Sequence, residues 1–276
     1  MRLGRSGSKG AAQSGLSLAF CFKARRARDR SGPRAREGLM AFLSERQSEP
    51  ELMDQPGLET VEHRGALAAL RRVNWLSRSV PELWKELRKL ARGYDHGQPL
   101  RVLDIACGGG DVAIRLAIRA RRHGLPITIH GCDISKTALA VAAEYARRAD
   151  LAAMEFFRLD VLNEPIPKGF DVIMCSLFLH HLSDADGARV VRAMSLAAHK
   201  AILIDDLLRT SLGYALCWVG CRILTQSRIV RIDGPLSVRA AYSRQEVERL
   251  IDRCGLAGAT IKRHWPERFL LAWEAP

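Results

Sequence analysis

The densest chemistry in the chain lies in residues 102–113. There an apolar run, Val102-Leu-Asp-Ile, meets Ala106-Cys-Gly-Gly-Gly and then Asp111-Val-Ala. An apolar strand that enters glycines and leaves as a helix makes a nucleotide-cofactor site at the carboxyl edge of a parallel sheet. The glycines let a ligand approach the backbone with no side chain in the way. Gly108-x-Gly110-x-x-Ala113 also satisfies the loose dinucleotide pattern, and Asp133 follows at about the 20-residue distance that pattern asks for. An NAD(P)-dependent oxidoreductase is therefore one reading of this loop.

Two acids favour another. A dinucleotide seats its pyrophosphate at the helix N-terminus, where free N–H groups and the helix dipole attract negative charge. Asp111 occupies that first turn, and Asp104 adds a second negative charge at the strand end. A cofactor with cationic groups and no phosphate suits these acids better. S-adenosylmethionine, with an ammonium and a sulfonium, is such a molecule.

From about residue 100 to residue 205 the chain resembles the class I S-adenosylmethionine-dependent methyltransferases. Their D-x-[GA]-x-G-x-G loop reads here as Asp104-Ile-Ala106-Cys-Gly108-Gly-Gly110, with Ala106 where glycine is commoner. Three further segments follow in order: Asp133-Ile134-Ser, Leu159-Asp160-Val161, and the fourth-strand stretch from Phe170 through Cys175 to His180-His181. The resemblance implies cofactor contacts at Asp104, Ala106, Gly108, Gly110, Asp133, Ile134, Asp160, Val161 and Cys175. It gives Asp133 the ribose hydroxyls and Asp160 the adenine amino group. In the flanks, Glu51-Leu-Met-Asp-Gln-Pro, Arg72-Val-Asn-Trp75 and residues 225–242 resemble small-molecule methyltransferases found beside type III polyketide synthase genes, which are relatives of the quinone-biosynthesis enzymes.

That likeness implies methyl transfer to a small hydrophobic acceptor, phenolic, quinone or polyketide-derived. Displacement at a sulfonium needs positioning and desolvation, not a metal. His180 and His181 are the catalytic candidates, since a histidine near the methyl group can take a hydroxyl proton. Adjacent histidines on an extended segment point apart, so no metal site is expected from them with Asp184 and Asp186. Asp206, Arg209, Arg239 and Tyr242 are candidates for the acceptor side, with the apolar run 212–224 as part of a lid over residues 211–243.

Other function classes remain open at this point. A nucleic-acid methyltransferase that flips a base commonly carries an Asn/Asp-Pro-Pro-aromatic segment after the fourth strand; here Cys175-Ser-Leu-Phe178 stands instead. A protein methyltransferase and a non-catalytic, cofactor-binding relative are the remaining alternatives.

The elements that must position these residues follow from the patterning. Strand-like runs at 100–105, 127–132, 154–159, 170–175 and 201–204 alternate with helix-like segments near 112–122, 136–148 and 185–198. This predicts an α/β fold, a doubly wound, mostly parallel seven-stranded sheet of Rossmann-like type, with strands near 258–263 and 268–273 closing it as a hairpin. Two helices precede the first strand, the second opened by a capping box at Ser79-Val-Pro-Glu82. Asp233-Gly-Pro reads as a turn, and Ser243-Arg-Gln-Glu246 caps a helix ending at Gly255.

The net charge is +13 over 276 residues, but +8 of it lies in residues 1–46, with eleven Lys or Arg and three acids. A basic groove within the fold is thus not required, and no nucleic-acid partner is expected. Residues 1–50 are expected to form a basic, disordered extension and 51–276 the catalytic domain. The seven cysteines form no C-x-x-C pair, which fits reduced thiols in a cytoplasmic protein. No charge-free stretch is long enough to cross a bilayer.

Overall fold

The computed structural model describes residues 43–54, 60–75, 77–93 and 97–276. The expected basic extension falls mostly on residues 1–42, outside the described residues. A short 3-10 helix, Leu52–Asp54, leads to α1 (Thr60–Trp75) and α2 (Ser79–Arg92). Then follow β1 (Leu100–Ile105), α3 (Asp111–Arg122), β2 (Ile127–Asp133), α4 (Lys136–Arg148), β3 (Phe156–Arg158) and β4 (Phe170–Ser176). A second 3-10 helix, Leu179–His181, precedes α5 (Asp184–Ala197) and β5 (Ala198–Leu207). The chain closes with α6 (Ser211–Leu224), α7 (Arg228–Ala240), α8 (Arg244–Cys254), β6 (Thr260–His264) and β7 (Arg268–Glu274).

The seven strands lie in the order β3-β2-β1-β4-β5-β7-β6. β1 to β5 pair in parallel, and β7 runs antiparallel to both β5 and β6. This is the predicted doubly wound sheet with its closing hairpin. Side-chain alternation divides each central strand between two layers. Leu103 and Ile105 pack with Val190, Val191 and Met194 of α5 and Val247 and Leu250 of α8. Leu100 and Val102 pack with Leu83 and Leu87 of α2 and Val112 and Leu116 of α3 on the other face. A third apolar cluster joins Ala66 and Ala69 of α1, Cys221 of α6 and Val230 of α7. These three helices roof the carboxyl edge of the sheet.

Two local expectations give way to tertiary contacts. Ser79 does not cap α2; its hydroxyl accepts from Arg268 Nη1 at 2.6 Å, while Glu82 is ion-paired to Lys85 and Lys262. Asp233-Gly-Pro is no turn but lies inside α7. The Asp233 carboxylate accepts from the backbone N–H groups of Leu52 and Met53 at 2.9 and 3.0 Å. Gly234 lets α7 approach α6, since a Cβ there would stand 2.6 Å from Cys221 Sγ and 3.0 Å from Cys217 Sγ. Packing outweighs the helix-breaking tendency of Gly and Pro. The body also begins earlier than residue 51. Leu43 is buried, and Gln47 N–H donates to Arg239 O at 3.1 Å.

Candidate functional site

At the carboxyl edge of the sheet a cavity of about 970 Å³ opens under α1, α6 and α7. Its floor holds Ala106, Gly108 and Gly109, its side wall Asp133 and Ile134, and its far end Glu51, His180 and His181. The loop after β1 has the backbone that the glycines foretold. Gly108 and Gly110 take φ values of 53° and 74°. A Cβ at Gly110 would lie 2.9 Å from Ala142 Cβ, whereas one at Gly108 would meet only open space. Ala106, at φ 50°, holds the left-handed conformation without being glycine, which costs on the order of 1 kcal/mol.

Three carboxylates, Asp104, Asp111 and Asp133, gather around this loop. Asp104 is buried, and neither carboxylate oxygen has a hydrogen-bond partner among the described residues. Burial, reinforced by the charges of Asp111 and Asp133, pushes its carboxyl well above the ordinary range. Asp111 is also raised by burial, against the pull of Arg115, Arg268 and Arg71. The acid in the first turn of α3 is thus set among arginines rather than alone, which the sequence did not disclose. Asp133 accepts from Gly108 N–H and Ser135 N–H, both at 2.8 Å, and so holds its carboxylate at the cavity wall. A buried acid with no partner, a loop open over Gly108 and a fixed wall carboxylate fit a cofactor that carries both cationic and hydroxyl groups.

The other end is assembled by the segment after β4. Leu177 takes φ 53°, a strained value for a leucine, and its N–H donates to Asp205 O at 2.9 Å. The chain then turns through the 3-10 helix that carries both histidines. His180 Nδ1 stands 2.6 Å from Asp206 Oδ1, and His180 N–H donates to Asp206 Oδ2 at 3.1 Å. Burial alone would raise the Asp206 carboxyl, but the charge and hydrogen bond of His180 and the Leu207 N–H outweigh it and hold it below the ordinary range. With Nδ1 bonded to Asp206, Nε2 is the ring nitrogen left toward the cavity. Nε2 faces Glu51 Oε1 at 3.8 Å, and Ser237 Oγ lies 2.5 Å from that same oxygen.

His180 and His181 do not point apart, because the segment is a 3-10 turn and not extended. Their ring centroids are 4.3 Å apart with planes tilted by 32°. With Glu51 they place three metal-ligand-type atoms within 4.8 Å of one another, an arrangement able to hold a divalent cation. Asp184 and Asp186 stay outside that group: Asp184 pairs with Arg46, and Asp186 bonds Ser183 and Arg189 at the start of α5.

Several candidate residues sit elsewhere. Asp160 accepts from Leu162 N–H and Asn163 Nδ2 in the turn after β3, Val161 packs on the main core, and Leu162 reaches the cavity in their place. Cys175 is buried in β4, and its neighbour Ser176 lines the wall. Arg209 is held by Glu246 and by the carbonyls of Leu43 and Ala241. Arg239 bonds Gln47 and Glu49, and Tyr242 lies under the Arg46 guanidinium, 3.9 Å from its ring centroid. These three brace the N-terminal strap and do not line the cavity.

Glu51 and Arg268 are the site residues that sequence reasoning missed. Arg268 lines the cavity, bonds Ser79 and Asn74, and lies 3.5 Å from Asp205, whose other oxygen meets His264 Nε2 at 2.6 Å. An arginine opening the apolar strand Phe269-Leu-Leu was the available signal. Glu51 stood only within the flanking Glu51-Leu-Met-Asp-Gln-Pro likeness, which gave it no role, since the fold alone brings it to His180.

A methyltransferase-domain family model matches residues 102–199. An uncharacterised methyltransferase of Mycobacterium bovis is 28% identical over 192 residues, 63% of this chain and 87% of that one. A ubiquinone biosynthesis O-methyltransferase of Neisseria meningitidis is 34% identical over 95 residues, 34% of this chain and 37% of that protein. Among solved structures, an O-methyltransferase family 2 protein from Planctomyces limnophilus, in complex with apigenin, aligns with a TM-score of 0.57 at 20% identity. It covers 80% of this chain, which spans 62% of that one. A magnesium protoporphyrin IX methyltransferase from Synechocystis, with bound S-adenosylhomocysteine, aligns at 0.51 and 16% identity, over 81% and 91% of the two chains. At these identities the two structures speak to the fold.

Proposed function

The chain carries a class I S-adenosylmethionine-dependent methyltransferase domain, and on that premise we propose that it methylates a hydroxyl of a small hydrophobic acceptor of phenolic, quinol or polyketide type. The observation that carries this reading is His180, bonded to the buried Asp206 and lining the same cavity as the glycine loop and Asp133. Donor and acceptor would then meet in one cavity, where transfer is a matter of positioning.

Asp104, Gly108 and Asp133 would hold the methyl donor, which when bound supplies an electrophilic methyl group. The rest is the work of this chain's own side chains. Met53, Leu70, Val73 and Val230 give the acceptor end an apolar wall and exclude water. His180 Nε2 accepts the acceptor's hydroxyl proton, and Asp206 stabilises the imidazolium that forms. A phenol titrates near 10 and imidazole near 6.5, so such a base contributes about 10²–10⁴-fold at neutral pH. Glu51, 3.8 Å from that nitrogen and bonded by Ser237 Oγ, orients the hydroxyl. The ubiquinone and naphthoquinone enzymes among the relatives support an acceptor of this class.

The test is transfer of labelled methyl from S-adenosylmethionine into pools of phenols, quinols and polyketide phenols. Label in an ether-linked methyl of a hydrophobic phenol supports the reading. Label only in protein, nucleic acid or a carbon-bound methyl overturns it.

A further inference from the structure

Helix α6 is apolar on two faces. Gly213 and Cys221 are buried, and Cys217 and Cys221 line the cavity. On the opposite side Leu212, Val219 and Ile223 are 53%, 46% and 76% exposed, with Trp218 beside them at 44%. At 3.6 residues per turn, positions 212, 219 and 223 fall in one narrow arc. The helix has a single charged side chain, Arg222, whose guanidinium lies 3.7 Å from the Trp218 ring centroid. An apolar helical face turned to water marks an interaction surface.

The charge beside the stripe says what it fits. Arg72 of α1, Arg222 and Arg231 line a shallow cavity of about 360 Å³ next to Ile223, with no acid in its wall among the described residues. Arg231 is fixed there by Thr225 O at 2.8 Å and Arg222 O at 3.2 Å. Residues 211–240 hold four arginines against one acid, Asp233, which is buried and bonded to Leu52 and Met53. A second copy docking by two-fold symmetry would set this patch against itself, arginine facing arginine. An anionic lipid surface complements both features at once.

We propose that the α6–α7 face is a membrane-docking surface: Leu212, Trp218, Val219 and Ile223 enter the headgroup boundary of an anionic bilayer, and lipid phosphates seat between Arg72, Arg222 and Arg231. A short helix with an apolar stripe, a tryptophan and flanking arginines lies in the interface plane. Among the described residues no helix is long and apolar enough to cross the membrane. Because the inner face of α6 lines the cavity, docking presses the roof of the site onto the phase where hydrophobic acceptors dissolve. The surface itself does not depend on the acceptor reading.

The test takes the full chain and vesicles of phosphatidylcholine, with and without phosphatidylglycerol, some carrying lipids brominated on the acyl chain. No donor or acceptor is added, so the result is separate from catalysis. The chain partitions onto the phosphatidylglycerol vesicles, brominated lipid quenches its tryptophan fluorescence, and Trp218→Phe removes most of that quenching. The pair Leu212→Asp/Ile223→Asp lowers partitioning at least about tenfold with an unchanged melting transition. Three results overturn the proposal. One is no partitioning, and another is partitioning that survives the aspartate pair without quenching, which is adsorption by the basic segment 1–46. The third is a dimer, abolished by the aspartate pair, in a chain that ignores vesicles.

Discussion

Glu51 Oε1 stands 3.8 Å from His180 Nε2, so the strap that precedes α1 reaches into the histidine end of the site. Arg46 anchors that strap. Its guanidinium bonds Ala240 O, His180 O, Leu182 O and Asp184 while covering the Tyr242 ring. Asp233 then holds the backbone of Leu52 and Met53, which fixes where Glu51 points.

A chain shortened to begin at Glu51 therefore loses more than a tail. Hydrogen bonds to a charged group contribute about 1.5–3 kcal/mol each, and Arg46 makes several. Truncation at Glu51 is expected to lower the melting temperature by several degrees and to cut turnover more than about tenfold. Truncation at Leu43 is expected to leave both unchanged. Equal melting curves and rates for the two truncations would contradict the strap's role.

The donor contact proposed at Asp104 would link stability to donor binding. Its carboxyl is raised in the fold, so the ionised form is penalised there. The penalty is absent below the ordinary carboxylate value and grows as pH rises above about 4, so this group makes the donor-free chain less stable toward neutrality. Asp104→Asn should raise the melting temperature of the donor-free chain at pH 7 and flatten that limb of the pH profile. The same change should weaken S-adenosylmethionine at least about tenfold by calorimetry, the scale of a hydrogen bond to a charged group. A variant that is less stable at pH 7 yet binds the donor normally would refute this role.

Glu82 works with the opposite sign. Burial would raise it, but Lys262 and Lys85 bring its carboxyl down to about 2. Its stabilising contribution is present above the ordinary value of 4.5 and disappears as pH falls toward 2. Since both lysines are about half exposed, that contribution is about 1–3 kcal/mol. Glu82→Gln should lose that much at pH 7 and nothing at pH 2, as read from urea melts at the two pH values. A loss of equal size at both pH values would mean packing, not charge.

What could be read from the sequence was local or periodic. The apolar runs of β1 and β4, the glycines after β1 and Asp133 at the end of β2 each announce themselves within a few residues. Only half of the expected third strand forms, because β3 pairs with β2 through Phe156–Arg158 alone. The failures are tertiary. Asp233-Gly-Pro became helix because Gly234 fits against two cysteine sulfurs and Asp233 caps another segment. Arg209 was drawn out of the acceptor side by Glu246, and Glu51 was brought in by contacts that span most of the chain.

The proposed proton transfer from the acceptor hydroxyl to His180, oriented by Asp206, is read from the pH dependence of turnover, with a phenolic acceptor, in the native chain and in His180→Gln. At pH 7 the variant should lose about 10²–10⁴-fold in kcat while its affinity for S-adenosylmethionine holds. Above pH 10, where the phenol ionises unaided, most of that rate should return. A variant that turns over at the native rate at pH 7, or one whose loss is the same at pH 7 and above pH 10, would contradict the account.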